Sequence, residues 1–166
     1  ADARRRPRPD PELPMITIPT LCALALQLWT ADAAIWYAPR LPSMLTTCED
    51  VATEASQRGH DPALLISVAW EESRMTWATS PAGAVGPLQA LPSLWCPQGT
   101  TADCDLIAAG VDAWEEWQDR YPRTVDTLCH YNGGNRCGPQ SLAYAERVIT
   151  RWQELAAFAY GVPDGC

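Results

Sequence analysis

The chain is 166 residues long and 47% apolar, which is enough to bury one substantial core and too apolar for a disordered chain. Its formal charge of −8 argues against a nucleic-acid partner, because holding phosphates requires basic surface. All 12 basic residues are Arg; Arg4, Arg5, Arg6 and Arg8 crowd the start, whereas most acids lie beyond residue 45.

In chain order, the first element is "RRRPR" followed by the apolar run "MITIPTLCALALQLW" (15–29) and the small-residue pattern Ala31-Asp32-Ala33. That order is the order of a secretory signal. Residues 1–40 therefore read as a leader or anchor, and 41–166 as the folded domain, exported to a periplasmic or extracellular space. The competing reading is a helix of the mature protein from about Thr20 to Tyr37. Pro19, Gln27 and Asp32 interrupt the run, against a permanent membrane-spanning helix.

Cysteine usage agrees with export. Cys22 lies in the apolar run, and the remaining Cys48, Cys96, Cys104, Cys129, Cys137 and Cys166 suit three bridges in an oxidising compartment. Short loops suggest Cys96–Cys104 and Cys129–Cys137, and elimination leaves Cys48–Cys166. Zinc is disfavoured: there is no C-x₂-C pair, and His60 and His130 are far apart. No cofactor is called for.

Beyond Ser43 the chain reads as helices. One covers about 45–58 and closes at Gly59. The next opens with Asp61 as N-cap and Pro62 at the first helical position, and runs to about Trp77. "SPAGAVGPLQALPSLWCPQGTTADC" is a loop with room for one short helix. Further helices are expected near 103–120, over "TVDTLCHYN" up to Gly133–Gly134, and from Pro139 to about Tyr160. With no period-2 run, the class is all-α.

The helix "DPALLISVAWEESRM" carries two adjacent acids. At 100° per residue, Leu65, Val68, Ala69 and Met75 fall within about 60° of Glu72, which puts Glu72 in the middle of an apolar stripe. Glu71 falls about 100° away, nearer a boundary. A carboxyl on an apolar face holds its proton more tightly and can act as a general acid. The bland alternative is an acid that pairs with Arg74 or Arg147.

Three blocks in order, "DPALLISVAWEESRM", "SPAGAVGPLQALPSLW" and "HYNGGNRCGPQSLAYAERVI", resemble the soluble lytic transglycosylase domain of the lysozyme-like superfamily over about residues 48–150. Glu72-Ser73 is similar to the family's Glu-Ser motif. Gly83, Gly86 and Gln89 resemble its G-x-x-G-x-x-Q loop. Tyr131, Asn132 and Gly134 resemble its Tyr-Asn-x-Gly element, followed by Tyr144-Ala145. Leu88 stands where Met is common and Pro87 where Leu is usual. Gapless alignment from Ser80 would select Glu71 as the acid; the following Ser-Arg-Met and the helical geometry select Glu72.

The resemblance implies the helical transglycosylase type of the lysozyme-like α+β superfamily, a compact domain with a Gly-rich active-site loop. It implies a peptidoglycan lytic transglycosylase that cleaves the β-1,4 MurNAc–GlcNAc bond and leaves a 1,6-anhydro end, with Glu72 as acid and then base. Ser73, Ser80, Gly86, Gln89, Tyr131, Asn132 and Tyr144 would contact substrate, with Trp77 and Trp95 available for sugar stacking and no metal. Two alternatives accompany it: a hydrolytic muramidase of the goose-lysozyme kind, with Asp103 or Asp105 as second carboxylate, and a catalytically weak peptidoglycan-binding or assembly module. The expected partners are peptidoglycan glycan strands and a secretion, conjugation or phage assembly, the small transglycosylases of such machines having a similar layout.

Overall fold

A computed structural model describes residues 16–161. Eight α-helices form in this stretch: α1 (Ile18–Thr30), α2 (Ala34–Tyr37), α3 (Leu41–Gln57), α4 (Pro62–Ser73), α5 (Pro92–Trp95), α6 (Leu106–Arg120), α7 (Thr124–Gly133) and α8 (Pro139–Tyr160).

Helix α4 is the axis of the molecule. Residues Ala63 to Trp70 are all buried, as expected of a helix that is apolar on every face and enclosed by others. Helices α3 and α8 pack on it directly, α7 packs on α8, and α6 packs on α7. The Asp61 carboxylate caps α4 by accepting from the Ala63 amide at 2.9 Å, and its other oxygen accepts from Trp152 Nε1 of α8 at 2.7 Å. The start of α4 is therefore tied to α8 by the residue that begins the helix.

The end of α4 departs from the expected Trp77. The helix stops at Ser73 because Arg74 and Met75 take left-handed conformations, with φ of 56° and 60°. Ser73 secures the turn: its hydroxyl donates to the Pro87 carbonyl at 2.9 Å and accepts from the Thr76 amide at 3.1 Å. Helix α6 begins at Leu106 rather than near residue 103, because Asp105 is its N-cap, accepting from the Ile107 and Ala108 amides.

The first helix is packed into the same core. Leu21, Cys22, Ala25 and Leu26 join the buried cluster formed by α3, α4, α7 and α8. A disulfide joins Cys22 to Cys48, so the Cys48–Cys166 pairing is corrected; Cys166 lies outside the described residues. Cys96–Cys104 and Cys129–Cys137 are bonded.

The mixed α+β lysozyme-like fold class is overturned. Among the described residues there is no strand and no sheet, only the isolated bridges Thr79–Val85 and Val85–Ala90. The physical reason lies in the connection between α4 and α5. Pro81 and Pro87 lack an amide to donate. Gly83 and Gly86, both at φ +84°, turn the chain before a ladder can extend. The segment folds as a series of tight turns on the helical body.

Candidate functional site

A groove of about 480 Å³ opens between the α4–α5 connection, α6 and α7. Glu72 lies at its floor. Ser80, Gln89 and Leu94–Trp95 come from the connection and α5, Trp117 from α6, and Tyr131 and Asn132 from α7. Segments far apart in the sequence thus converge on the acid.

Glu72 sits in the last turn of α4, half-buried, and among the described residues is the lone carboxyl lining the groove. Burial pushes its pKa from the ordinary 4.5 up to about 7; Tyr144 opposes the rise and the negative charge of Glu71 adds to it. The carbonyl end of a helix disfavours the ionised form in the same sense. A carboxyl in this state can donate a hydrogen bond or a proton near neutrality.

Glu71 is pushed the other way. Its side chain is 3% exposed and faces α8, where Arg151 Nε donates to it at 2.5 Å and Arg147 Nε at 3.0 Å; Arg74 Nη1 stands at 3.4 Å. Burial alone would raise its pKa, but the guanidiniums of Arg151, Arg147 and Arg74 outweigh burial and hold it below the usual range. The ion-pair role expected for one of the two acids belongs to Glu71.

The other site residues divide into groups. Ser80, Gln89, Tyr131 and Asn132 line the groove with Glu72. The Gln89 amide nitrogen donates to the Ala78 and Gly86 carbonyls, both at 2.9 Å, so its side-chain oxygen is the part left to accept from a ligand. Ser80 accepts from the Ala84 amide at 3.1 Å and closes the turn. The Tyr131 hydroxyl donates to the Leu88 carbonyl at 2.6 Å, so its ring forms the wall while its hydroxyl braces the loop. Asn132 is exposed at the rim.

Ser73, Gly86 and Tyr144 lie outside the lining. Ser73 is engaged with Pro87 and Thr76, as described above. Gly86 is buried, and a Cβ there would meet Leu106 at 3.2 Å. Tyr144 is buried behind Glu72 and lowers its pKa, yet its hydroxyl meets no partner at full hydrogen-bonding geometry. Burial and the charge of Glu72 both keep the Tyr144 phenol protonated.

Trp77 is 53% exposed and away from the groove, donating to Thr47 of α3 at 3.2 Å. Asp105 is engaged as the α6 cap, and neither it nor Asp103 lines the groove. Trp117, not among the tryptophans expected to stack on a sugar, lines the groove, stacked on His130 with 5.7 Å between ring centroids. Its setting in "EEWQDR", an aromatic among charged residues, is the signal that could have found it. Leu94, 68% exposed at the groove edge, is the second residue missed. Among the described residues no group of three His, Cys, Asp or Glu is placed to hold a metal ion.

No family model, no curated protein and no solved structure matches the chain. The reading of a lytic transglycosylase, with its lysozyme-like lyase chemistry, is corrected on the architecture, and the hydrolytic muramidase alternative falls with it. Both placed the acid in the active site of the mixed α+β lysozyme-like fold. The described residues supply no sheet, and the connection facing Glu72 holds only the two isolated bridges.

Proposed function

We propose that the groove is a binding site for a saccharide chain rich in N-acetyl groups, of the kind found in peptidoglycan glycan strands. One observation carries this reading: a carboxyl that keeps its proton near neutrality lies at the floor of a groove walled by Leu94, Trp95, Trp117 and Tyr131. Sugars present apolar ring faces and a rim of hydroxyls and amides. Aromatic walls suit the faces. A neutral carboxyl, the Gln89 oxygen and Asn132 offer both donors and acceptors to the rim. Lining Glu72 with these groups also avoids placing an unpaired charge against a neutral ligand. The resemblance of the three sequence blocks to wall-directed domains adds support for the polymer, and the three blocks each supply part of the groove.

Titration of the full chain with a β-1,4-linked N-acetylglucosamine tetramer, followed calorimetrically, tests the reading. Binding should weaken as pH rises through about 7, because ionised Glu72 no longer donates. Glu72→Gln, which donates at every pH, should bind with little pH dependence. Trp117→Ala should bind at least about tenfold more weakly through loss of the stacking face. Absence of binding by the wild-type chain at pH 6 would overturn the proposal, as would steady cleavage of the tetramer or of purified sacculi.

A further inference from the structure

The three disulfides among the described residues differ in what they fasten and in how far solvent reaches them. Cys22–Cys48 joins α1 to α3, with both residues at 0% exposure. Cys129–Cys137 starts inside α7, where Cys129 is also fully buried, and ends at an exposed Cys137. Cys96–Cys104 lies outside every helix, and both of its residues are partly exposed. Cys96 directly follows Trp95 of the groove wall, and Cys104 directly precedes Asp105, the cap of α6.

We propose that Cys96–Cys104 is a redox latch on the groove: reduction of this bridge by a dithiol frees the wall that carries Leu94 and Trp95 and weakens ligand binding, while the helical body stays folded. The inference rests on the saccharide reading for its ligand alone. Three observations carry it. The first is the size of the wall. Helix α5 has four residues, none of them buried, and is too short to keep its form unaided. The second is how the wall is fastened. Among the described residues, every hydrogen bond made by residues 92–104 finds its partner within 91–104. Apart from packing on α6, the bridge is therefore what ties the end of α5 to the start of that helix. The third is stored strain. The loop that the bridge closes holds Gln98 and Asp103 in left-handed conformations, with φ of 58° and 55°, and opening the bridge releases both.

A thiolate of the dithiol attacks one sulfur of the bridge and expels the other as a thiolate; the second thiol of the dithiol then breaks the mixed disulfide. Two electrons pass from the dithiol to the cystine. The dithiol closes into its own disulfide, and its two protons end on Cys96 and Cys104. The other two bridges are protected. Both sulfurs of Cys22–Cys48 are shut in the core, so α1 stays fastened to α3. Attack at the exposed Cys137 must expel Cys129 as a thiolate into apolar surroundings, which burial disfavours. The wall beside that bridge also has other supports: Tyr131 and Asn132 belong to the ten-residue α7, and the Tyr131 hydroxyl is bonded to the Leu88 carbonyl.

Graded treatment of the full chain with dithiothreitol, followed by iodoacetamide capture and peptide mass mapping, tests the inference. Cys96 and Cys104 should be alkylated before the other four bridged cysteines, with unchanged circular dichroism. In that doubly alkylated chain, chymotryptic cleavage after Leu94 and Trp95 should accelerate. Its affinity for the N-acetylglucosamine tetramer at pH 6 should fall at least about fivefold, because binding must now order two wall side chains. Cys96→Ser/Cys104→Ser should bind as weakly as the reduced chain and should not respond to dithiothreitol. Earlier opening of either other bridge overturns the latch, as does loss of the circular dichroism signal when Cys96–Cys104 opens, or an affinity equal to that of the oxidised chain. A chain that binds no tetramer in either state sinks the saccharide reading alone. The latch is then decided by the chymotryptic rate, and a rate unchanged by reduction refutes it.

Discussion

Glu72→Gln should raise thermal stability in alkaline solution and leave it nearly unchanged in acid. The folded chain holds the Glu72 proton up to about pH 7, whereas an unfolded glutamate releases it near 4.5. Between those values the folded state binds the extra proton, so stability falls as pH rises through the window and levels off above it. The gap between the two values corresponds to about 3 kcal/mol of destabilisation by the ionised carboxylate above pH 8. Gln keeps the shape and never ionises, and so removes that term. For a domain of this length, 1 kcal/mol moves the midpoint by about 2–4 °C, so the variant should melt roughly 6–12 °C above wild type at pH 8.5. At pH 4, where Glu72 is protonated in both states, the two proteins should melt within about 2 °C of each other. Scanning calorimetry of both proteins in matched buffers at the two pH values is the assay. Equal midpoints at pH 8.5 would refute the claim that burial holds the proton on Glu72, and with it the pH dependence expected for saccharide binding.

Three further outcomes follow from contacts elsewhere. Arg151→Ala should destabilise by about 2–4 kcal/mol in urea unfolding, because it leaves the buried Glu71 carboxylate with a weakened set of partners; a loss below about 0.5 kcal/mol would contradict the role of the cluster. Glu71 itself contributes stability that is present above the ordinary glutamate range and is lost as acid protonates it, so wild type should lose stability below about pH 4.5 and Glu71→Gln should lose much less of it. Gly110→Ala should cost about 1–3 kcal/mol and weaken tetramer binding, since its Cβ would meet Leu88 Cβ at 2.4 Å and displace the loop that Tyr131 braces. A stable variant with unchanged binding would show that the loop gives way without effect.

The parts of the fold that the sequence reveals are those whose signals are local. Gly138-Pro139 and Gly161 bracket α8, and the observed helix is Pro139–Tyr160. Asp61-Pro62 announces α4 in the same way. The end of α4 was hidden because Arg74 and Met75 adopt left-handed conformations that the sequence marks with neither Gly nor Asn. The partner of Cys48 was hidden because assigning residues 1–40 to a leader removed Cys22 from the count, while the chain uses that cysteine to fasten α1 to α3. The expected sheet came from the resemblance and not from any alternating run. For the groove, order along the chain pointed to Ser80, Gln89, Tyr131 and Asn132. It gave no means of separating them from Ser73, Gly86 and Tyr144, which differ only in the direction that the turns and helix faces impose.

The two acids at the end of α4 show how much of the site rests on one helical turn. They are adjacent and chemically identical, yet 100° of rotation sends Glu71 to the arginines of α8 and Glu72 to the groove. The two placements depend on each other. The Glu71 cluster crosslinks α4 to α8 at the point where α4 ends, which fixes the height at which Glu72 leaves the helix. The charge on Glu71 also raises the pKa of Glu72. Because Arg74, Arg147 and Arg151 surround that charge, its effect on Glu72 is smaller than that of burial, which is the leading cause of the shift. Neutralising Glu71 should therefore lower the Glu72 pKa only modestly, and removing the apolar walls around Glu72 should lower it more. A groove carboxyl set mainly by desolvation responds to whatever displaces water from it. A ligand that fills the groove and covers Glu72 should drive its pKa higher still, so binding near neutrality should take up protons from solution.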